Sequence, residues 1–107
     1  MSIELDELQR WKRQLEAEKA ELDRITQKDR EEIERLKIRC SVLENAVWSW
    51  RVTDPDAADS FANTASELRG AIHRKEAELQ MKNREVKSRL HEMDRLVLTI
   101  NERISQL

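Results

Sequence analysis

The sequence predicts an all-α protein, an antiparallel coiled-coil hairpin of two long helices, and three observations carry that expectation. Ala, Glu, Lys, Leu and Arg supply 56 of the 107 residues, a bias typical of long helices and coiled coils. One Gly, one Pro and four aromatic residues (Trp11, Trp48, Trp50, Phe61) leave little from which to build turns or a sheet. Leucines fall on a strict seven-residue grid up to a single proline, beyond which a second periodic segment begins.

The first helix is read over residues 3–51. Leu8, Leu15, Leu22, Leu36 and Leu43 share the grid with Asp29 and Trp50, and are taken as heptad position d. The corresponding a positions are Leu5, Lys12, Lys19, Thr26, Ile33, Cys40 and Val47. The seam is therefore firm from Ile33 to Trp50 and weaker from Lys12 to Asp29, with Ile25 marking a drift of the apolar stripe.

Residues 52–54 are read as the turn. Pro55 would cost about 3 kcal/mol inside a helix but suits the first helical position, with Asp54 as its N-cap. Asp56 and Asp59 add negative charge near the positive end of the new helix dipole.

The second helix is read over 55–106, from Ala58, Ala62, Ala65, Leu68, Ile72, Leu79, Val86, Leu90, Met93, Val97, Ile100 and Ile104 at gaps of mostly three, four or seven. Gly70 is its weak point, since glycine in a helix interior costs about 1 kcal/mol relative to alanine. The helix is expected to continue through it. Each helix should be about 70 Å long at 1.5 Å per residue, and so short a connection makes them antiparallel neighbours in one domain spanning 1–107.

Folding the chain back at 52–53 tests the pattern. Leu5 meets Ile100, Leu8 meets Val97, Leu15 lies near Leu90, and Ile33 meets Ile72. Near the turn, Ala58, Ala62 and Ala65 face the larger Val47, Leu43 and Cys40, so the backbones can approach closely. Asp29 comes within reach of Lys75, a pair that could fix the register, although an Asp29 side chain that snorkels to water beside a gap in the core is the simpler reading.

Two helices alone bury little apolar surface. Ile38, Val42 and Ala46 form a strip to the side of the Leu36 and Leu43 line, and Trp48 and Leu98 lie farther off their stripes. These residues point to a homodimer in a four-helix bundle and to a protein partner. Trp48 and Trp50 stand in a turn region, Glu44 to Glu67, that holds five acids and Arg51 alone. Trp50 and Phe61, with Val47, are expected to close the end of the bundle. Trp48, about 140° from Leu43 on the helical wheel, is expected to contact a partner.

Catalytic chemistry finds no support here. His73 and His91 are about 27 Å apart on one helix, too far to share a metal, and HExxH, CxxC and glycine-rich phosphate loops are absent. The histidines read as flank residues and Cys40 as a small core hydrophobe, so neither an enzyme nor a cofactor is expected.

Residues 69–89 carry seven cations and three acids, and Arg74, Lys75, Lys82 and Arg89 are the candidates for phosphate contact. Interleaved Glu76, Glu78 and Glu85 make a solvated flank the better reading. The runs of apolar residues are too short for a membrane span, and the one cysteine and acidic N-terminal segment favour a soluble, cytoplasmic protein. The functional expectation is a coiled-coil interaction module, an adaptor, scaffold or small subunit. The alternatives are a nucleic-acid-associated helical protein and a regulator that docks its acidic turn on a basic partner.

Overall fold

A computed structural model describes residues 2–107 as two α-helices, α1 (Ile3–Trp50) and α2 (Pro55–Ser105), with no strand among the described residues. The helices of the expected hairpin thus end within one residue of the boundaries read from the sequence.

Each helix starts on a side-chain cap. The Leu5 amide donates to Ser2 Oγ at 3.1 Å, and the Ala57 amide to Asp54 Oδ1 at 3.2 Å. Both satisfy an amide that the first turn leaves without an intrahelical acceptor. Pro55 occupies the first position of α2, where its missing N–H costs nothing. At the other side of the turn, the Asp54 amide donates to the Trp50 carbonyl at 2.8 Å, so one residue helps to close α1 and opens α2.

The chain forms two compact units, one from Met1–Gln27 with Met81–Leu107 and the other from Lys28–Gln80. In the Lys28–Gln80 unit, Ile33 and Cys40 of α1 are buried with Ala65 and Ile72 of α2, and Leu36, Leu43, Leu68 and Leu79 pack half-buried around them. Cys40 Sγ lies 3.7 Å from the Ala65 carbonyl oxygen. That contact is the large-against-small pairing expected near the turn. Ala58 is buried as well, and Ala62 is half-buried.

In the other unit, Leu15 is buried with Met93 and Ile100, flanked by Leu8, Leu22, Leu90, Leu96, Val97 and Ile104. Met93 is completely inaccessible. Thr26 is buried too, and its hydroxyl donates to the Asp23 carbonyl at 2.9 Å, so a polar group at a seam position is satisfied by its own helix.

The seven-residue rows account for the burial. Every a and d position of α1 from Leu5 to Val47 is buried or half-buried, and only Ile25 and Ala46 join them from outside those rows. On α2 the buried residues Ala58, Ala65, Ile72, Met93 and Ile100 all lie on one seven-residue row.

Ion pairs run along both sides of the seam. Glu4, Glu18 and Glu32 of α1 receive Arg103, Arg89 and Lys75 of α2 at 2.7, 3.2 and 2.9 Å, so the pairs recur two heptads apart on each helix. On the other side, Lys37 pairs with Glu76, Glu44 with Arg69, and Lys19 with Asp94. Lys75, proposed from sequence as the partner of Asp29, gives its hydrogen bond to Glu32. The Glu32 carboxylate is the main cause holding the Lys75 ammonium above its ordinary pKa, and Asp29 adds a smaller contribution of the same sign.

Gly70 does not interrupt α2, and no glycine has positive φ. A methyl group at Gly70 would meet only the tip of the Arg74 side chain, at 3.6 Å, an ordinary contact. Gly70→Ala should therefore stabilise the chain by about 0.5–1 kcal/mol. A higher urea midpoint with unchanged slope is the expected result, and a lower midpoint would show that the helices are packed more tightly here than this geometry allows.

Candidate interaction surface

Because the seam consumes only one face of each helix, large apolar side chains elsewhere are left in water. Ile38, Val42, Trp48, Trp50 and Val52 are exposed, five of the ten large exposed hydrophobic residues, and all lie within fifteen residues of sequence. Single exposed hydrophobics are ordinary, whereas a concentration of them is the usual mark of a contact face.

The outward direction of Ile38 and Val42 follows from helical spacing. Four residues apart, they share a face of α1 turned away from the Leu36 and Leu43 row, and they are 57% and 62% exposed. Ala46, the third member of the expected strip, is half-buried, because its position adjoins Val47 on the seam side. The strip is thus two large residues long. Leu98, of the other unit, is 60% exposed on α2.

Trp48 sits in the last turn of α1 and is 72% exposed. The guanidinium carbon of Arg51, the first residue after the helix, lies 4.5 Å from the centre of its ring system, which is cation–π geometry. Trp50 departs from expectation. Although it lies on the heptad grid and was expected to close the bundle, it is 49% exposed, while Val47 and Phe61 are half-buried as expected. Trp50 is the last residue of α1, so no further turn of its own helix covers the ring.

The acidic residues of the turn have distinct roles. Asp54 caps α2, and Glu44 is paired across the seam with Arg69. Asp56 and Asp59 are exposed and take no ion pair among the described residues.

In the basic segment, three of the seven cations, Arg69, Lys75 and Arg89, are held by acids. Lys75 is held by Glu32, and Arg89 by Glu18 and Glu92. Lys82 also has an interaction partner, and Arg74 lies along α2 beside Gly70. Paired cations have less to offer a phosphate backbone than the sequence count implied.

Each histidine lines a shallow open groove on its own unit. His73 lies with Cys40, Ser41 and Ile72 under the Lys37–Glu76 and Glu44–Arg69 pairs, and His91 lies with Arg84, Lys87, Leu90 and Asp94. Among the described residues, three metal-ligating side chains nowhere come together, and no helix is long and apolar enough to cross a membrane.

Cys40 is buried, and burial raises its thiol pKa above the ordinary value. The Glu44 carboxylate, 3.6 Å from the sulfur, adds to the rise, and Arg69 opposes it. Searches against family models, curated proteins and solved structures find no match to this chain.

The Cys40 environment sets a testable pH dependence. A thiol whose pKa is higher in the folded than in the unfolded state stabilises the fold below the unfolded value, near 8.5, and that contribution fades as pH rises through the folded value. Iodoacetamide labelling at pH 8.5 should be at least about tenfold slower in buffer than in urea, and folding stability should decline above that pH more steeply than in Cys40→Ala. Equal labelling rates would show that the seam is open at Cys40.

Proposed function

We propose that the chain is a non-enzymatic protein–protein interaction module, an adaptor, scaffold or small subunit of a larger assembly. The turn end of α1 is its contact face. One observation carries this reading: Ile38, Val42, Trp48, Trp50 and Val52 are exposed together, on a chain whose seam positions are already satisfied internally. A well-exposed tryptophan is the side chain most often found carrying binding energy in interfaces.

Ile38 and Val42 suit a second copy of the same helix pair, which would extend the hairpin to a four-helix bundle. Trp48 suits a different protein. The nucleic-acid alternative is weakened by the acids that hold Lys75 and Arg89.

Trp48→Ala should shift stability by no more than about 0.5 kcal/mol, as for an exposed site, and leave the mass in light scattering unchanged. It should also abolish retention of partner proteins that wild-type bait captures and that bait changed at the exposed Met81, Met81→Ser, still captures. Retention by Trp48→Ala equal to wild type would remove the turn end as the contact face. Light scattering at micromolar concentration tests self-association separately: a dimer that becomes monomeric in Ile38→Ser/Val42→Ser is expected, and a monomeric wild type would exclude the bundle.

A further inference from the structure

We propose that the ring face of Trp48 is a receptor for an arginine or lysine side chain on a basic segment of a protein partner, and that Arg51 fills this receptor in the free chain. The inference deepens the contact-face reading above and rests on it.

A tryptophan face attracts cations through its quadrupole, more strongly than any other aromatic side chain. The Trp48 face already holds one, the Arg51 guanidinium at 4.5 Å. Arg51 is the sole cation between Glu44 and Glu67, in a segment with Asp54, Asp56 and Asp59. Despite that choice of carboxylates it makes no salt bridge among the described residues. Its charge sits on the ring.

The surroundings fit an incoming cation and disfavour an anion. Asp54 is committed to its cap, but Asp56 and Asp59 are exposed and carry uncompensated negative charge at the same turn. Like-charge repulsion would keep a phosphate backbone away, whereas a basic peptide would be steered in. Both groups of the pair are at the surface, so exchanging Arg51 for a partner's side chain requires no unfolding. The indole gives up one cation and accepts another.

The test uses the full chain and fluorescein-labelled peptides of equal length, arginine-rich, lysine-rich and serine-rich, followed by anisotropy at low salt. The cationic peptides should bind and the serine-rich peptide should not. Arg51→Gln should tighten binding about two- to fivefold and Trp48→Leu should loosen it by a similar factor, the scale of an exposed cation–π contact.

Arg51→Gln also removes a positive charge, so the decisive measurement is the double variant. In Trp48→Leu/Arg51→Gln the gain from Arg51→Gln should vanish, because the ring it vacates is gone. Circular dichroism confirms that each variant remains helical. A gain that persists undiminished without the ring would overturn the proposal, as would cationic peptides that fail to bind Arg51→Gln.

If those peptides fail while Trp48→Ala still abolishes partner retention, the contact face stands and its partner is not cationic. If both fail, the contact-face reading falls as well.

Discussion

A pair of helices has one mutual interface, and that geometric limit governs this molecule. Only the side chains on the facing side of each helix can leave water, so the core has to be written as rows with a period near seven rather than as a volume. The sequence obeys the limit closely. The buried residues of α2 all lie on one such row, and those of α1 lie on the a and d rows. The small residues Ala58 and Ala65 are the most deeply buried ones near the turn, where close approach of the backbones matters more than side-chain volume.

From the same limit follows the division between what the sequence foretold and what it hid. Helix ends were readable because they depend on neighbours in the chain: Asp54 and Pro55 carry the cap and the first helical position within two residues. Seam positions were readable because periodicity is a one-dimensional signal. Trp50 was misplaced because its grid position says which way it points but not that no further turn of its own helix covers the ring. Reach along the fold-back brings Asp29 near Lys75, whose ammonium feels its charge, but does not show that Glu32 takes a Lys75 hydrogen bond.

The proposed contact face is half visible in the sequence for a similar reason. That Ile38, Val42, Trp48 and Leu98 lie off the seam follows from angles alone, and all four are exposed. The stacking of Arg51 on Trp48 depends on how the chain leaves α1, which no periodicity describes, although the spacing of an arginine three residues after a tryptophan is compatible with it. Likewise the excess of cations in 69–89 is real in the sequence, but its pairing with Glu18, Glu32 and Glu44 appears only when acids from α1 are set beside it.

The two-heptad recurrence of the Glu4, Glu18 and Glu32 pairs bears on misalignment. An apolar row with a seven-residue period looks much the same to its mate after a slip of seven residues, so hydrophobic contact alone discriminates poorly between neighbouring alignments. The charges do not share that ambiguity. After a slip one way Glu18 would find Lys82 but Glu4 would face Leu96 and Glu32 would face Leu68; after a slip the other way Glu32 would find Lys82 but Glu18 would face Leu96. Individually these exposed pairs contribute little to stability. Together they act as a vernier scale, rejecting near-miss zippering that the greasy stripe would tolerate.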